Sequence, residues 1–365
     1  MTIVDVASLR TFTEDVLKKV GLNEKNVALI SDVLVDADLR GVHSHGVQNL
    51  PRWARGFLNG HLKKEPIFEE VPDNGPMTAI DGQGTLGVIA SNFAMDLAIE
   101  RAKKYGIGIV GVKNSSHFGP AAYYTMKALE HNQIGYCTTN GPAVMAPWGG
   151  KEALLSNNPF SYAIPAGEEA PIVLDMACSV SARGRIRMMA RENETLPEGW
   201  AITKDGEPTT DPREAVEGTV LPFGGYKGYG IAVINEILSA ALTGALFSFE
   251  VGGISKGPAE SELQKHEQAA WGCGHVFAAI DINRFGHGES FQNRVAYLSK
   301  TLKQSPTAKG VERIYLPGEM EYELKQEREK NGIPLPTSTI ELVNSFAEEE
   351  IGIASLVDYL DEKKF

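Results

Sequence analysis

Basic residues are in short supply in this chain of 365 residues: 35 Lys and Arg stand against 47 Asp and Glu, a formal charge of −12. That balance argues against a nucleic-acid partner, which needs a basic surface to neutralise phosphates. A small anionic ligand is still allowed, because it senses only the local field of its pocket. Cysteine is scarce too. Cys137, Cys178 and Cys273 are odd in number and widely spaced, with no CxxC or Cys/His ligand pattern. Neither a disulfide framework nor a structural zinc is indicated, and reduced thiols in a reducing compartment fit better. Long apolar runs are missing: the most apolar stretch, 231–246, contains Asn235 and Glu236 and is too short and polar to span a bilayer. The opening Met1-Thr2-Ile3-Val4-Asp5 has neither the basic nor the apolar region of a signal peptide. There is no internal repeat, low-complexity tract or obvious linker. These absences lead to an expectation of a cytoplasmic protein with no metal site and no membrane partner.

What is present is an ordinary globular composition, 42% apolar and 22% charged. The length allows two or three packed units and a cleft between them. Periodicity predicts a helix over 8–20 that stops at Gly21, and a second that starts on Asn23 as N-cap and ends at Arg40-Gly41. His43-Ser44-His45-Gly46 then falls on a turn just past a helix end, a good place for chemistry. Further on, strands are predicted at 77–80, 107–112, 134–138, 161–164, 172–174 and 275–282. Helices are predicted at 88–105, 120–131, 227–243, 290–303, 319–331 and 338–349. The polar segment 188–218 reads as a long surface excursion, and 251–270 has no regular pattern. The class is mixed α/β with interleaved domains.

Several motifs carry candidate chemistry. Gly82-Gln83-Gly84-Thr85-Leu86-Gly87 matches the GxGxxG of dinucleotide folds, which want an acid at the end of the following strand. That strand runs into Val110-Gly111-Val112-Lys113-Asn114 with no acid, so a glycine-rich strand–helix turn is the better reading. In Ser44-His45, a histidine able to exchange a proton near neutral pH sits beside a hydroxyl that can orient it. A pair of surface histidines at a helix end would look the same. Ser115-Ser116-His117-Phe118-Gly119-Pro120 follows the cleanest strand, where ligands collect in open sheets, though a loop histidine bonded to a carbonyl is an equal alternative. Asn157-Asn158-Pro159 and Leu174-Asp175-Met176-Ala177 place polar groups beside strands, as turns often do. Arg183-Gly184-Arg185 would suit a carboxylate or phosphate, or is a solvated basic turn. Gly224-Gly225-Tyr226-Lys227-Gly228-Tyr229-Gly230 opens an apolar helix, and its glycines fit either a close phosphate or a close helix crossing.

In order along the chain, Ser44-His45-Gly46-Val47, His117-Phe118-Gly119-Pro120, Asn158-Pro159, Leu174-Asp175-Met176-Ala177, Ala182-Arg183-Gly184, Thr209-Thr210-Asp211-Pro212, Gly225 to Gly230 and Leu316-Pro317-Gly318-Glu319 resemble the malate/L-lactate dehydrogenase family of the non-Rossmann kind. That group is similar to sulfolactate, ureidoglycolate and diketogulonate dehydrogenases and to piperideine-carboxylate reductases. The resemblance covers essentially the whole chain. It implies a nicotinamide-binding α/β fold without a Rossmann motif, and NAD as cofactor with NADP as the other choice. The implied reaction is reversible hydride transfer between a small 2-hydroxy acid and its 2-oxo acid. It also implies a homodimer.

The implied layout has a mainly helical part at 1–75, bearing Ser44-His45 and packing with C-terminal helices at 285–365. An α/β substrate part comprises 76–120 and 220–284, and a nicotinamide-binding part comprises 121–219. His45 is the implied proton donor or acceptor with Ser44 assisting, and His117 is the other candidate for that role. The implied cofactor residues are His117, Phe118, Gly119, Pro120, Ala121, Asp175, Met176, Ala177, Tyr226, Lys227, Arg313, Pro317, Gly318 and Glu319. Asn157, Arg183 and Gly184 fall where substrate contacts are expected.

Two departures from the family pattern bear on the substrate. Many members carry an arginine four residues after the histidine, suited to clamp a carboxylate; here that position is Asn49, an expected substrate contact whose amide can hydrogen-bond a carboxylate but brings no charge. Arg52 or Arg55 is the available replacement. Arg185 stands where imino-acid reductases carry an aspartate, which favours a carbonyl or alcohol enzyme over a cyclic imine reductase. A cofactor-binding homologue without dehydrogenase activity is the remaining alternative.

Overall fold

The structure, a computed structural model, describes residues 1–68, 75–252, 272–286 and 288–361. A two-stranded antiparallel pair ties the two ends of the chain together: β1 (Thr2–Val4) runs against β11 (Ile333–Leu335). Around it pack α1 (Val6–Lys19), α2 (Glu24–Leu39), α3 (Leu50–Leu58) and α11 (Thr337–Ser345), with α12 (Leu356–Asp361) at the end. Phe12, Leu34, Trp53, Phe57, Val343 and Phe346 share one buried core. The expected caps explain the first two helices. Asp5 accepts from the Ser8 amide at 3.0 Å and Asn23 from the Asn26 amide at 2.9 Å, each satisfying a donor that the helix start leaves free.

The second layer is a six-stranded sheet of β2 (Met77–Asp81), β3 (Ile107–Ser115), β4 (Gln133–Thr139), β5 (Phe160–Ile164), β6 (Ile172–Met176) and β10 (Cys273–Asp281). Their spatial order is β2-β3-β10-β4-β5-β6. Within this sheet β2 and β3 pair in parallel, and every other described pair is antiparallel. This is not the parallel, doubly wound sheet of a Rossmann fold. One face is covered by α4 (Gly87–Tyr105) and α5 (Ala121–Lys127), and the other by the turn that continues α8 (Tyr226–Glu236). The two small residues of β3 record this: Gly108 lies against the Ala98 carbonyl of α4, and Gly111, on the opposite face, against Thr243.

A third unit corrects the reading of 188–218 as a surface excursion. α6 (Arg183–Glu192), α7 (Pro212–Glu217) and a small sheet of β7 (Ala201–Ile202), β8 (Pro208–Thr209) and β9 (Thr219–Val220) enclose their own core. Met145, Cys178, Ile186, Met189, Leu196, Ala201, Ala215, Val220 and Ala232 form it. Its apolar residues come from distant segments, so no local period announces them. The basic Arg183-Gly184-Arg185 is accordingly the first turn of α6. β1, α3, β11 and α12 were not predicted either, because each is short. Helices α9 (Gly288–Lys303) and α10 (Glu319–Asn331) match expectation closely. Most of the 251–270 stretch lies outside the described residues.

The GxGxxG segment is a packing device. A Cβ on Gly87, the first residue of α4, would fall onto the Ser116 carbonyl, so this glycine lets the helix start press against the loop after β3. The Gly87 amide donates to Ser116 Oγ at 3.1 Å. The glycine-rich turn thereby shapes the loop that carries His117.

Candidate active site

Antiparallel pairing sets where the site lies. β3, β4 and β6 end at one edge of the sheet, and β5 and β10 begin there, so their connecting loops converge. Above them is a cleft of about 260 Å³, lined among others by His45, Arg52, His117, Thr139, Asn157 and Arg183. Residues separated by more than 130 positions are thus brought to one place.

His45 ends a single 3-10 turn (His43–His45) that directly follows α2. Its Nδ1 lies 2.9 Å from Ser44 Oγ, which leaves Nε2 for the cleft. Its ring stacks on His117, with centroids 5.7 Å apart and planes 21° apart. His117 Nδ1 accepts from the Gly119 amide at 3.3 Å, so this neutral ring carries its proton on Nε2 and is a donor there. The two histidines are therefore not equivalent. Burial, assisted by the Arg52 cation, brings His45 down to about 4. Burial also holds His117 well below the usual histidine range, with Arg52, His45 and His275 adding to the effect.

The cations are sorted just as sharply. Arg55 is committed to Glu350 through contacts of 2.8 and 2.5 Å, whereas Arg52 lines the cleft. Arg52 sits in the first turn of α3, and its Nε and Nη2 are buried with no hydrogen-bond partner among the described residues. A guanidinium in that state calls for an anion. Arg183, at the start of α6, reaches the cleft from the opposite side and donates Nη2 to the Val216 carbonyl at 2.8 Å. Asn49 is outside the cleft lining; its amide donates to the Ser44 and Gly46 carbonyls at 2.9 and 3.2 Å and braces the His45 turn.

The predicted cofactor residues fall into four groups. His117, Phe118 and Gly119 line the cleft. Asp175, on edge strand β6, accepts from the Ala122 amide at 2.7 Å and so lies beside Pro120 and Ala121, with Met176 and Ala177 following. Tyr226 and Lys227 stand exposed at the start of α8, apart from the cleft lining, and the close approach there is internal, Gly228 packing on the Phe223 carbonyl. In the last segment, Val173 donates to the Pro317 carbonyl at 2.9 Å and Gly318 packs on Val173. Glu319 is buried under Lys303 and Arg313, at 2.6 and 3.0 Å. This segment is a clasp on the edge of β6.

The sequence reading missed the groups behind the cleft. Glu236, on α8, is a buried carboxylate, and no cation pairs with it among the described residues. It accepts from Asn140 at 3.2 Å, Asn158 at 2.8 Å and both the amide and hydroxyl of Ser248 at 2.6 Å. His275, wholly buried, sits between Thr139 Oγ1 at 2.6 Å and Ser115 Oγ at 2.7 Å. Both belong to segments that read as an ordinary apolar helix and strand.

A sequence profile described as malate/L-lactate dehydrogenase matches residues 4–344. The chain belongs to that family. It is 40% identical over 349 residues to an L-sulfolactate dehydrogenase of Methanocaldococcus jannaschii, covering 95% of this chain and 96% of that one. A malate/(S)-sulfolactate dehydrogenase of Methanothermus fervidus is 36% identical over 347 residues, covering 95% and 98%. The solved structure of the M. jannaschii sulfolactate dehydrogenase superposes with a TM-score of 0.88 at 36% identity, over 98% of this chain and 100% of that one. The recognised family, the α/β fold and the oxidoreductase class acting on CH–OH all follow.

Malate/L-lactate dehydrogenases use nicotinamide cofactors, and relatives of this chain are named for both. One is an NAD⁺ ureidoglycolate dehydrogenase of Escherichia coli K12, 30% identical, covering 88% of each chain. Another is an NADP⁺ (2R)-3-sulfolactate dehydrogenase of Chromohalobacter salexigens, 28% identical, covering 96% and 99%. The cleft fits such a group: Pro142, Val144 and Val220 offer apolar surface, and Ser181 Oγ is buried beside it with no hydrogen-bond partner among the described residues. No described helix is long and apolar enough to cross a membrane.

Proposed function

We propose that this chain catalyses reversible hydride transfer between a small 2-hydroxy acid and its 2-oxo acid, with His45 exchanging the hydroxyl proton. The observation that carries the reading is the pairing, in one cleft, of a neutral histidine with a half-buried arginine whose Nε and Nη2 have no partner among the described residues. The cofactor, when bound, supplies the carbon that accepts or returns the hydride. Arg52 holds the substrate carboxylate, with the Asn157 amide beside it. Arg183 faces the far end of the same molecule from α6. Fixing an anion between these groups presents the neighbouring hydroxyl to His45. The His45 Nδ1 proton rests on Ser44 Oγ, and Nε2 takes the alcohol proton as the hydride leaves. His117, a donor at Nε2, hydrogen-bonds the same oxygen and stabilises the charge that grows there.

We read the cofactor as NAD, held by the loop after β3 together with Asp175, Met176 and Ala177 of the nicotinamide-binding part 121–219. The three buried, unpaired cysteines support a reducing, cytoplasmic setting. The deciding variant is His45→Ala. It is expected to keep NADH binding, read by fluorescence titration, while turnover falls by about 10²–10⁴-fold. Full turnover in this variant would sink the assignment, and His117→Ala would then be the base to test.

A further inference from the structure

The turn that bears His45 is held by groups that do not line the cleft. Asp38 lies in the last turn of α2, and its side chain is only 1% exposed. Its Oδ1 accepts from His43 Nδ1 at 2.7 Å and its Oδ2 from the Val47 amide at 2.8 Å. One carboxylate therefore grips both ends of the turn. A Cβ on Gly46 would occupy the space of that carboxylate, so turn and acid are packed as one piece. From the other side, Arg328 of α10 donates Nη1 to the Asp38 carbonyl oxygen at 2.6 Å and to His43 Nε2 at 3.2 Å.

Hydrogen-bond polarity fixes this arrangement throughout. An arginine cannot accept, so His43 Nε2 must carry a lone pair and Nδ1 the proton. The guanidinium then donates to the imidazole, and the imidazole to the carboxylate. No member can be reversed singly without setting two donors against each other.

We propose that Asp38, His43 and Arg328 are positioning residues for the reaction, a brace that holds the 43–47 turn so that His45 meets the substrate hydroxyl in line. The proposal rests on the reading of His45 as the proton acceptor. None of the three touches the reacting atoms. They act through the placement of His45, where a displacement of about 1 Å is enough to cost on the order of 10²-fold in rate.

The test uses the full-length chain and the hydroxy acid turned over fastest among L-malate, L-sulfolactate, L-lactate and ureidoglycolate. Asp38→Asn, Arg328→Met, the double variant and His45→Ala are compared for kcat, KM and NADH affinity. In Asp38→Asn the new amide must face either His43 Nδ1–H or the Val47 amide. Its kcat is expected to fall by about 10–100-fold, with KM and NADH affinity within about threefold of the parent. In the double variant, His43 is free to take the opposite tautomer. Nδ1 then accepts from the new side-chain amide at position 38, and Nε2–H turns to solvent, since the His43 side chain is 27% exposed. A kcat above that of Asp38→Asn is therefore expected from adding a second substitution.

A double variant at or below Asp38→Asn, or a parental kcat in Asp38→Asn, overturns the brace. If Asp38→Asn does not fold, Arg328→Met decides by itself: a lower kcat at unchanged KM and NADH affinity supports the proposal, and an unchanged kcat overturns it. His45→Ala separates the two claims. If it stays active, the proton-acceptor reading fails; if it is dead while Asp38→Asn is normal, only the brace fails.

Discussion

At the residue scale, the chemistry depends on one cation acting on two partners. In the proposed reaction Arg52 holds the substrate carboxylate, and it also helps burial to hold His45 down at about 4. A lowered histidine stays neutral as the pH falls through 6.5 and gains its proton only near its own value. The acid limb of kcat/KM for hydroxy-acid oxidation, which reports the free enzyme, is therefore expected near pH 4 rather than near 6.5. Arg52→Met removes one of the two causes, so its limb should move upward. Its kcat/KM should also fall by about 10–100-fold, the worth of a charged hydrogen bond of roughly 1.5–3 kcal/mol. An unmoved limb, measured over about pH 3–8, would show that Arg52 does not govern His45. In the reverse direction a docked carboxylate offsets the guanidinium, which favours the protonated imidazole that reduction needs.

Elements do their work here by presenting loops. The strand ends supply His117, Asn140 and Asn157, and α8 stands behind Asn140 and behind Asn158, the neighbour of Asn157. Glu236 holds Asn140 and Asn158 from beneath with both oxygens accepting. Glu236→Gln keeps the shape but turns one acceptor into a donor that faces other donors. A loss of about 2–4 kcal/mol in urea denaturation is expected, because each buried group left unpaired costs about 1–3 kcal/mol. Stability unchanged within about 0.5 kcal/mol would mean that the asparagines find other partners. The long-helix pattern over 227–243 was legible in the sequence, whereas the acid's role was not. A lone Glu on a helix reads as surface until the fold closes over it.

For the whole molecule, pH and association are the tests. His275 is held at about 3, chiefly by burial. As pH falls below 6.5 the unfolded chain takes up this proton, while the folded chain does so only near 3. The contribution is therefore fully present above 6.5 and is lost progressively toward 3. The melting temperature should fall from pH 7 to pH 5, and His275→Gln should flatten that slope; an equal slope in the variant would remove His275 from the account. Ile231, Ile234, Ile237 and Leu242 lie along α8 and its continuation, 38%, 56%, 48% and 64% exposed. Apolar residues exposed in a row suit a contact surface, and we propose the homodimer expected from the family resemblance as its occupant. Light scattering should give twice the chain mass, and Ile234→Asp should give the single chain. A parent that elutes as one chain contradicts the assignment.

By itself, the sequence determined the local elements and the candidate chemistry. The 3.6-residue and alternating patterns placed most of the long helices and strands, Asn23 capped α2, and Ser44-His45 stood on a turn past a helix end. These are short-range matters, decided by neighbours within a few residues. Only the tertiary structure decided which candidates meet. Strand β10 inserts between β3 and β4 from more than 130 residues away, which brings the loops of 117, 140 and 157 together. The choice of Arg52 over Arg55, the donor role of His117 and the grip of Asp38 and Arg328 on the His45 turn follow from that packing. A hydrogen bond between distant segments leaves no period in the chain to read.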